Sequence, residues 1–129
     1  MEEKKSVIAD TDVLIEFLDR GNTTVKEKLL VIGIENICIS EITASELLYG
    51  ARDKKHWENL MKFIEQSLVL PVTREISNLH LNLVSSYSLT HKLKVQDALI
   101  AATAITLSLE LYTLNVKDFK FIKDIRLLI

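Results

Sequence analysis

At 129 residues, 48% of them hydrophobic, the chain has the length of a single domain, 1–129, and enough apolar material for a proper core. A net charge of −2 excludes a protein that holds nucleic acid by bulk positive charge, though not an enzyme that meets phosphates through bound cations. No apolar stretch reaches the roughly 18 to 20 residues of a membrane span, the lead "MEEKK" is unlike a secretory signal, and the lone Cys38 reads as a buried, inert thiol, so cytoplasm is the expected compartment.

Strand and helix patterns alternate along the chain. Ser6–Ala9 reads as a strand, followed by helices over Asp12–Arg20 and Thr24–Gly33. A second strand, Asn36–Ile39, leads into helices over Glu41–Arg52 and Lys55–Ser67. A third, Leu68–Val72, precedes helices over Arg74–His91 and Gln96–Leu107. Strands over Leu111–Leu114 and Arg126–Ile129 complete the pattern. The strand candidates are short and apolar without alternation, as strands covered on both faces should be. Leu60, Phe63 and Ile64, and again Leu79, Leu83 and Tyr87, recur at helical spacing and predict core-facing stripes. For Trp57, one turn before Leu60, core packing is the first expectation and a partner surface the second. Strands alternating with helices imply right-handed crossovers and a parallel sheet between two helical layers. Ligands in such folds collect beyond the carboxyl ends of the strands, where the strand order reverses.

Acidic residues accumulate at that end. In "VIADTDVLIEFL" an apolar run stops at Asp10, and Asp12 follows two positions later. Either acid could cap the next helix, and Asp12 fits that role better. Glu46, in "ITASELLYGA", could close a capping box with Thr43, but Ser40 directly ends the strand and is the better cap. Glu46 then falls in a second, largely apolar turn and needs a partner. Asp97 opens the "VQDALIAATA" helix, whose continuation to Leu109 carries no charge. Asp118, in "LNVKDF", could be a turn acid, as Asn115 could be a turn residue. Singly, each has a structural explanation. Together they form a cluster in which two carboxylates about 6 Å apart repel by roughly 3 kcal/mol at an effective dielectric near 20. A cation would relieve this, and hard oxygen donors without His or Cys suit Mg²⁺ or Mn²⁺. His56, His80 and His91 lack ligand spacing and read as surface or helix-face residues. No glycine-rich phosphate loop is present.

These four segments, with "LYTLNVKDF" as the last, resemble the successive motifs of PIN-domain proteins, and most of all the VapC-type ribonuclease toxins. The likeness spans nearly the whole chain. It implies a three-layer α/β/α sandwich around a five-stranded parallel sheet, a Mg²⁺ or Mn²⁺ site, and endonucleolytic cleavage of an RNA substrate. On this resemblance Asp10, Glu46, Asp97 and Asp118 are the catalytic, metal-holding acids. Thr11, Asp12 and Asn115 become helpers around them. Leu114 stands where the family usually carries Arg or Lys after its Thr. Arg52, Lys94 and Lys117 are candidates for steering the phosphate backbone. The resemblance further implies two protein partners, a cognate antitoxin and a second copy of the chain as a homodimer.

Other readings begin from the same residues. Asp10-Thr11-Asp12 also satisfies the D-x-D start of haloacid-dehalogenase-type phosphatases, but Val13-Leu14 stands where those proteins carry Gly-Thr. A receiver-like signalling domain should show an acid after its third strand, where Thr73 and Arg74 lie instead. A catalytically silent PIN-like module that only binds a partner would share every motif.

Overall fold

The computed structural model describes residues 6–128; the expectations placed on "MEEKK" and on Ile129 lie outside them. Strand β1 (Val7–Ala9) leads to helices α1 (Thr11–Leu18) and α2 (Thr23–Ile32), and β2 (Ile37–Ser40) to α3 (Glu41–Tyr49) and α4 (Lys54–Gln66). Strand β3 (Leu68–Leu70) is followed by α5 (Arg74–His91) and α6 (Val95–Thr106), then β4 (Glu110–Tyr112) and a 3₁₀ turn, Val116–Asp118. The sheet is parallel throughout with order β3-β2-β1-β4.

Alternation along the strands assigns the two faces. Ile8, Cys38 and Leu111 pack with Ile76, Leu83, Ala98, Ala101 and Phe119 beneath α5 and α6. Val7, Ala9, Ile39 and Tyr112 point the other way, onto Val13, Leu14, Leu29, Leu47 and Leu60 of α1 to α4. Strands β1, β2 and β4 are therefore covered on both sides, which explains their apolar runs, whereas β3 at the sheet edge leaves Leu68 exposed. The alanines of α6 let that helix lie close against the sheet; Ala98, Ala101, Ala102 and Ala104 are fully buried. Cys38 is buried as expected. Its Sγ donates to the Val7 carbonyl at 3.4 Å, and burial pushes the thiol up to about 11.

Several boundaries differ from the sequence expectation. Of the expected fifth strand, Arg126–Ile129, the described residues 126–128 carry one parallel bridge, between Leu127 and Leu111. Leu111 N donates to the Arg126 carbonyl at 2.8 Å, and Leu128 N donates to the Leu111 carbonyl at 2.9 Å. β4 is only three residues long and presents a single register position on that edge, so no ladder develops. Strand β3 stops at Leu70 because Pro71 lacks an N–H for the sheet. Helix α1 starts at Thr11 rather than Asp12 because Asp10, not Asp12, is its N-cap. Trp57 is 44% exposed and not in the core, while Leu60 on the same helix is buried. Among the described residues no helix is long and apolar enough to cross a membrane.

Candidate active site

The chain lays β2 and β3 to one side of β1 and β4 to the other, so the strand order reverses at β1. A crevice must open at the carboxyl end of β1, and Asp10 is the residue that β1 delivers there. A cleft of about 250 Å³ occupies this point, lined by Asp10, Thr11, Asp12, Ile15, Glu46, Lys94, Gln96, Asp97, Asn115, Asp118 and Phe119. All four acids expected from the sequence thus meet, each from a different segment.

Asp10 is 4% exposed. Its Oδ1 accepts the Thr11 N–H at 2.8 Å, which caps α1, and its Oδ2 accepts the Thr113 hydroxyl at 2.8 Å. Burial raises its carboxyl to about 6 despite the lowering effect of these bonds, and the charges of Asp12 and Glu46 push the same way. Asp97, half-buried in the first turn of α6, is also raised to about 6. Burial is the main cause, followed by the charges of Asp10, Asp118 and Glu46, with Lys94 pulling it down. Asp97 caps nothing: the N-cap of α6 is Lys94, whose side chain makes no cap bond. The capping explanation for Glu46 also fails, since Ser40 Oγ accepts the Thr43 N–H and caps α3. The partner Glu46 needs is Thr11, whose hydroxyl donates to its Oε1 at 2.8 Å.

The outer groups are tied in from the last strand end. Asn115 Nδ2 donates to Asp12 Oδ2, and Asn115 N donates to the Thr113 hydroxyl at 3.0 Å. Asp12 is therefore a side-chain partner of Asn115 rather than the cap. Asp118 N donates to the Asn115 carbonyl at 2.9 Å, which fixes the 3₁₀ turn that carries Asp118 into the cleft.

Of the three cations, only Lys94 lines the cleft. Arg52 lies elsewhere, 3.7 Å from Asp19, and Lys117 is exposed and outside the lining. His56 closes the Arg52 cluster: its Nε2 lies 2.9 Å from Asp19 Oδ1, tying α4 to the end of α1. It is an inter-helix contact more than a surface residue.

Thr113 and Gln96 belong to the site although sequence reasoning passed over them. Thr113 is buried and holds both Asp10 and Asn115. Its one sequence signal is a hydroxyl placed directly after β4, at the ligand end of the sheet. Thr113→Val keeps the shape and removes both bonds. It is expected to cost about 1 to 2 kcal/mol in urea unfolding, and an unchanged unfolding midpoint would show that the hydroxyl contributes nothing.

The donor set is entirely oxygen, and two of its acids are held well above their ordinary range. Among the described residues no three Asp, Glu, His or Cys side chains form a ready-made metal cage. That arrangement still suits Mg²⁺, which keeps several waters and takes one or two carboxylates rather than an all-protein shell. Each Asp10 oxygen has one lone pair engaged and one to spare.

The profile of the PIN domain matches residues 7–123. The chain is 33% identical to a Ribonuclease VapC of Rickettsia bellii over 130 residues, 95% of this chain and 94% of that protein. It is 36% identical to Ribonuclease VapC1 of Rickettsia felis, again over 95% of this chain and 94% of the relative. Its fold is similar to a chain of a solved toxin-antitoxin complex from Klebsiella pneumoniae, with a TM-score of 0.79 and 30% identity, covering 93% of this chain and 95% of that one.

Proposed function

The chain belongs to the PIN domain family, and from that premise we propose that it is a metal-dependent endoribonuclease of the VapC type, the toxin of a toxin–antitoxin pair. The observation that carries this reading is electrostatic. Four acids from four segments share one cleft, and the charges of Asp10, Asp118 and Glu46 all act on Asp97. A protein with no use for a cation there would gain by replacing at least one of them.

Asp10, Glu46, Asp97 and Asp118 would hold Mg²⁺ or Mn²⁺. When bound, such an ion supplies a Lewis acid that activates water and offsets charge on the scissile phosphate. The protein's own part is placement. Asp10 is clamped on both oxygens, so its carboxylate cannot swing away from the switch point. Glu46 is held by Thr11 across the cleft. Lys94, at the rim beside Asp97, offers a positive charge to the incoming phosphate backbone. Leu114, exposed in the neighbouring depression beside Asp12 and Asn115, offers none.

The antitoxin reading draws on the Klebsiella complex and on an apolar groove of about 360 Å³ away from the acids. Leu14, Phe17, Leu29, Ile34, Phe63 and Leu68 line it, and Ile34 and Leu68 are exposed.

Purified protein is expected to cleave RNA in Mg²⁺ or Mn²⁺ and leave 5′-phosphate and 3′-hydroxyl ends. EDTA should stop the reaction. Cleavage that continues in EDTA would sink the metal-dependent reading.

A further inference from the structure

Counting protons in the wall of the cleft gives a direction to a chain of hydroxyls. Thr11 Oγ1 has two side-chain contacts, Glu46 Oε1 at 2.8 Å and Thr43 Oγ1 at 3.0 Å. An ionised carboxylate only accepts, so the single Thr11 proton goes to Glu46. Thr43 must then supply the proton between itself and Thr11. With that proton committed, the 3.0 Å contact between Ser40 Oγ and Thr43 Oγ1 is donated by Ser40. Ser40 Oγ in turn accepts the backbone N–H of Thr43 at 3.2 Å. Every hydroxyl accepts once and donates once, all toward Glu46. The three residues are 8% (Thr11), 0% (Thr43) and 1% (Ser40) exposed, so water does not compete for these bonds.

We propose that Ser40, Thr43 and Thr11 form a one-way hydroxyl relay that orients the Glu46 carboxylate for a divalent cation, which makes Thr43 a positioning residue of the site. This rests on the metal reading above. The relay crosses three elements: the end of β2, the first turn of α3 and the first residue of α1. It therefore locks Glu46, on the second turn of α3, to the helix that starts at Asp10. Hydrogen bonds in such a chain polarise one another in a dry environment. Partners behind a metal ligand typically cost 10- to 100-fold in affinity when removed. A capping role alone needs only Ser40 and the Thr43 N–H, and leaves the Thr43 hydroxyl without a purpose.

The test uses the intact protein and Mn²⁺, with free ion followed by electron paramagnetic resonance and folding followed by thermal melting. Thr43→Val is expected to weaken Mn²⁺ binding about tenfold. Thr43→Ser, which keeps the hydroxyl, should stay close to wild type. Thr11→Val with Thr43→Val should bind no worse than Thr11→Val alone, because the relay acts on Glu46 only through Thr11. If Thr43→Val does not fold, Ser40→Ala replaces it in the same cycle, with the same expectation. Equal Mn²⁺ affinity in wild type and Thr43→Val would overturn the relay, as would additive losses in the double variant. A wild-type protein that binds no Mn²⁺ is a different result, and it overturns the metal reading together with the relay.

Discussion

Asp97→Asn is expected to lower metal-dependent RNA cleavage by at least about 100-fold while raising the melting temperature of the metal-free protein at pH 7. The first effect follows from losing a metal-holding charge, since even partners one shell further out cost 10- to 100-fold. The second follows from its surroundings. Burial and the charges of Asp10, Asp118 and Glu46 already disfavour the Asp97 carboxylate, so a neutral side chain of the same shape relieves the fold. Nothing structural should be lost, because Asp97 does not cap α6. The melting-temperature gain that Mn²⁺ gives the wild type should shrink in the variant. Cleavage within about tenfold of wild type would remove Asp97 from the metal site, even an outer-shell role costing that much. A lowered melting temperature would instead mark it as structural.

The second large effect is on pH. Asp10 and Asp97 titrate near 6 in the folded protein, against an ordinary value of 3.8. At these two positions the fold thus binds more protons than the unfolded chain between these limits, and their contribution to metal-free stability should fall as pH rises from about 4 to about 6. The contribution of these acids is complete below the lower limit and gone above the upper one. Asp97 is isolated as the difference between wild type and Asp97→Asn. That difference should open from near zero at pH 4 to about 1 to 2 kcal/mol at pH 7, reduced by solvent screening at this half-exposed position. Mn²⁺ competes with the same protons, so its stabilising effect should grow across the same window. Melting curves in EDTA and in Mn²⁺ at several pH values measure both trends. A wild type and variant that differ equally at pH 4 and pH 7 would mean that Asp97 is not perturbed.

Many of these features were legible in the residues themselves. Apolar runs between helical stripes announced an α/β fold, because a strand buried on both faces has no polar side to show. Ser40 could be recognised as a cap because a hydroxyl directly ending a strand meets the free N–H groups of the next helix. Asp10 and Glu46 stood out as charges in apolar surroundings and Asp97 as the acid that opens an uncharged helix, whereas Asp118, beside Lys117, was marked by its place after a strand and by the family resemblance.

Other features depend on contacts that no local pattern encodes. A one-dimensional reading favours Asp12 over Asp10 as the cap of the first helix. Only the turn from β1 into α1 makes Asp10 the buried cap and leaves Asp12 to Asn115, 103 positions away. Thr113 is equally distant from Asp10, and its role exists only because β4 lies beside β1. Arg52 and Lys94 are both cations near an acidic motif, yet packing sends one to Asp19 and the other to the cleft. The fifth strand faded to a bridge because edge pairing depends on how many residues two segments align, which propensity does not state. By itself, then, the sequence determined the layers, the acids and their order along the chain, since these follow from burial and charge residue by residue. The tertiary structure alone decided which acid is clamped, which hydroxyls hold it and which cation faces it. Those choices are made by hydrogen-bond direction and distance between segments that meet only when the sheet is assembled.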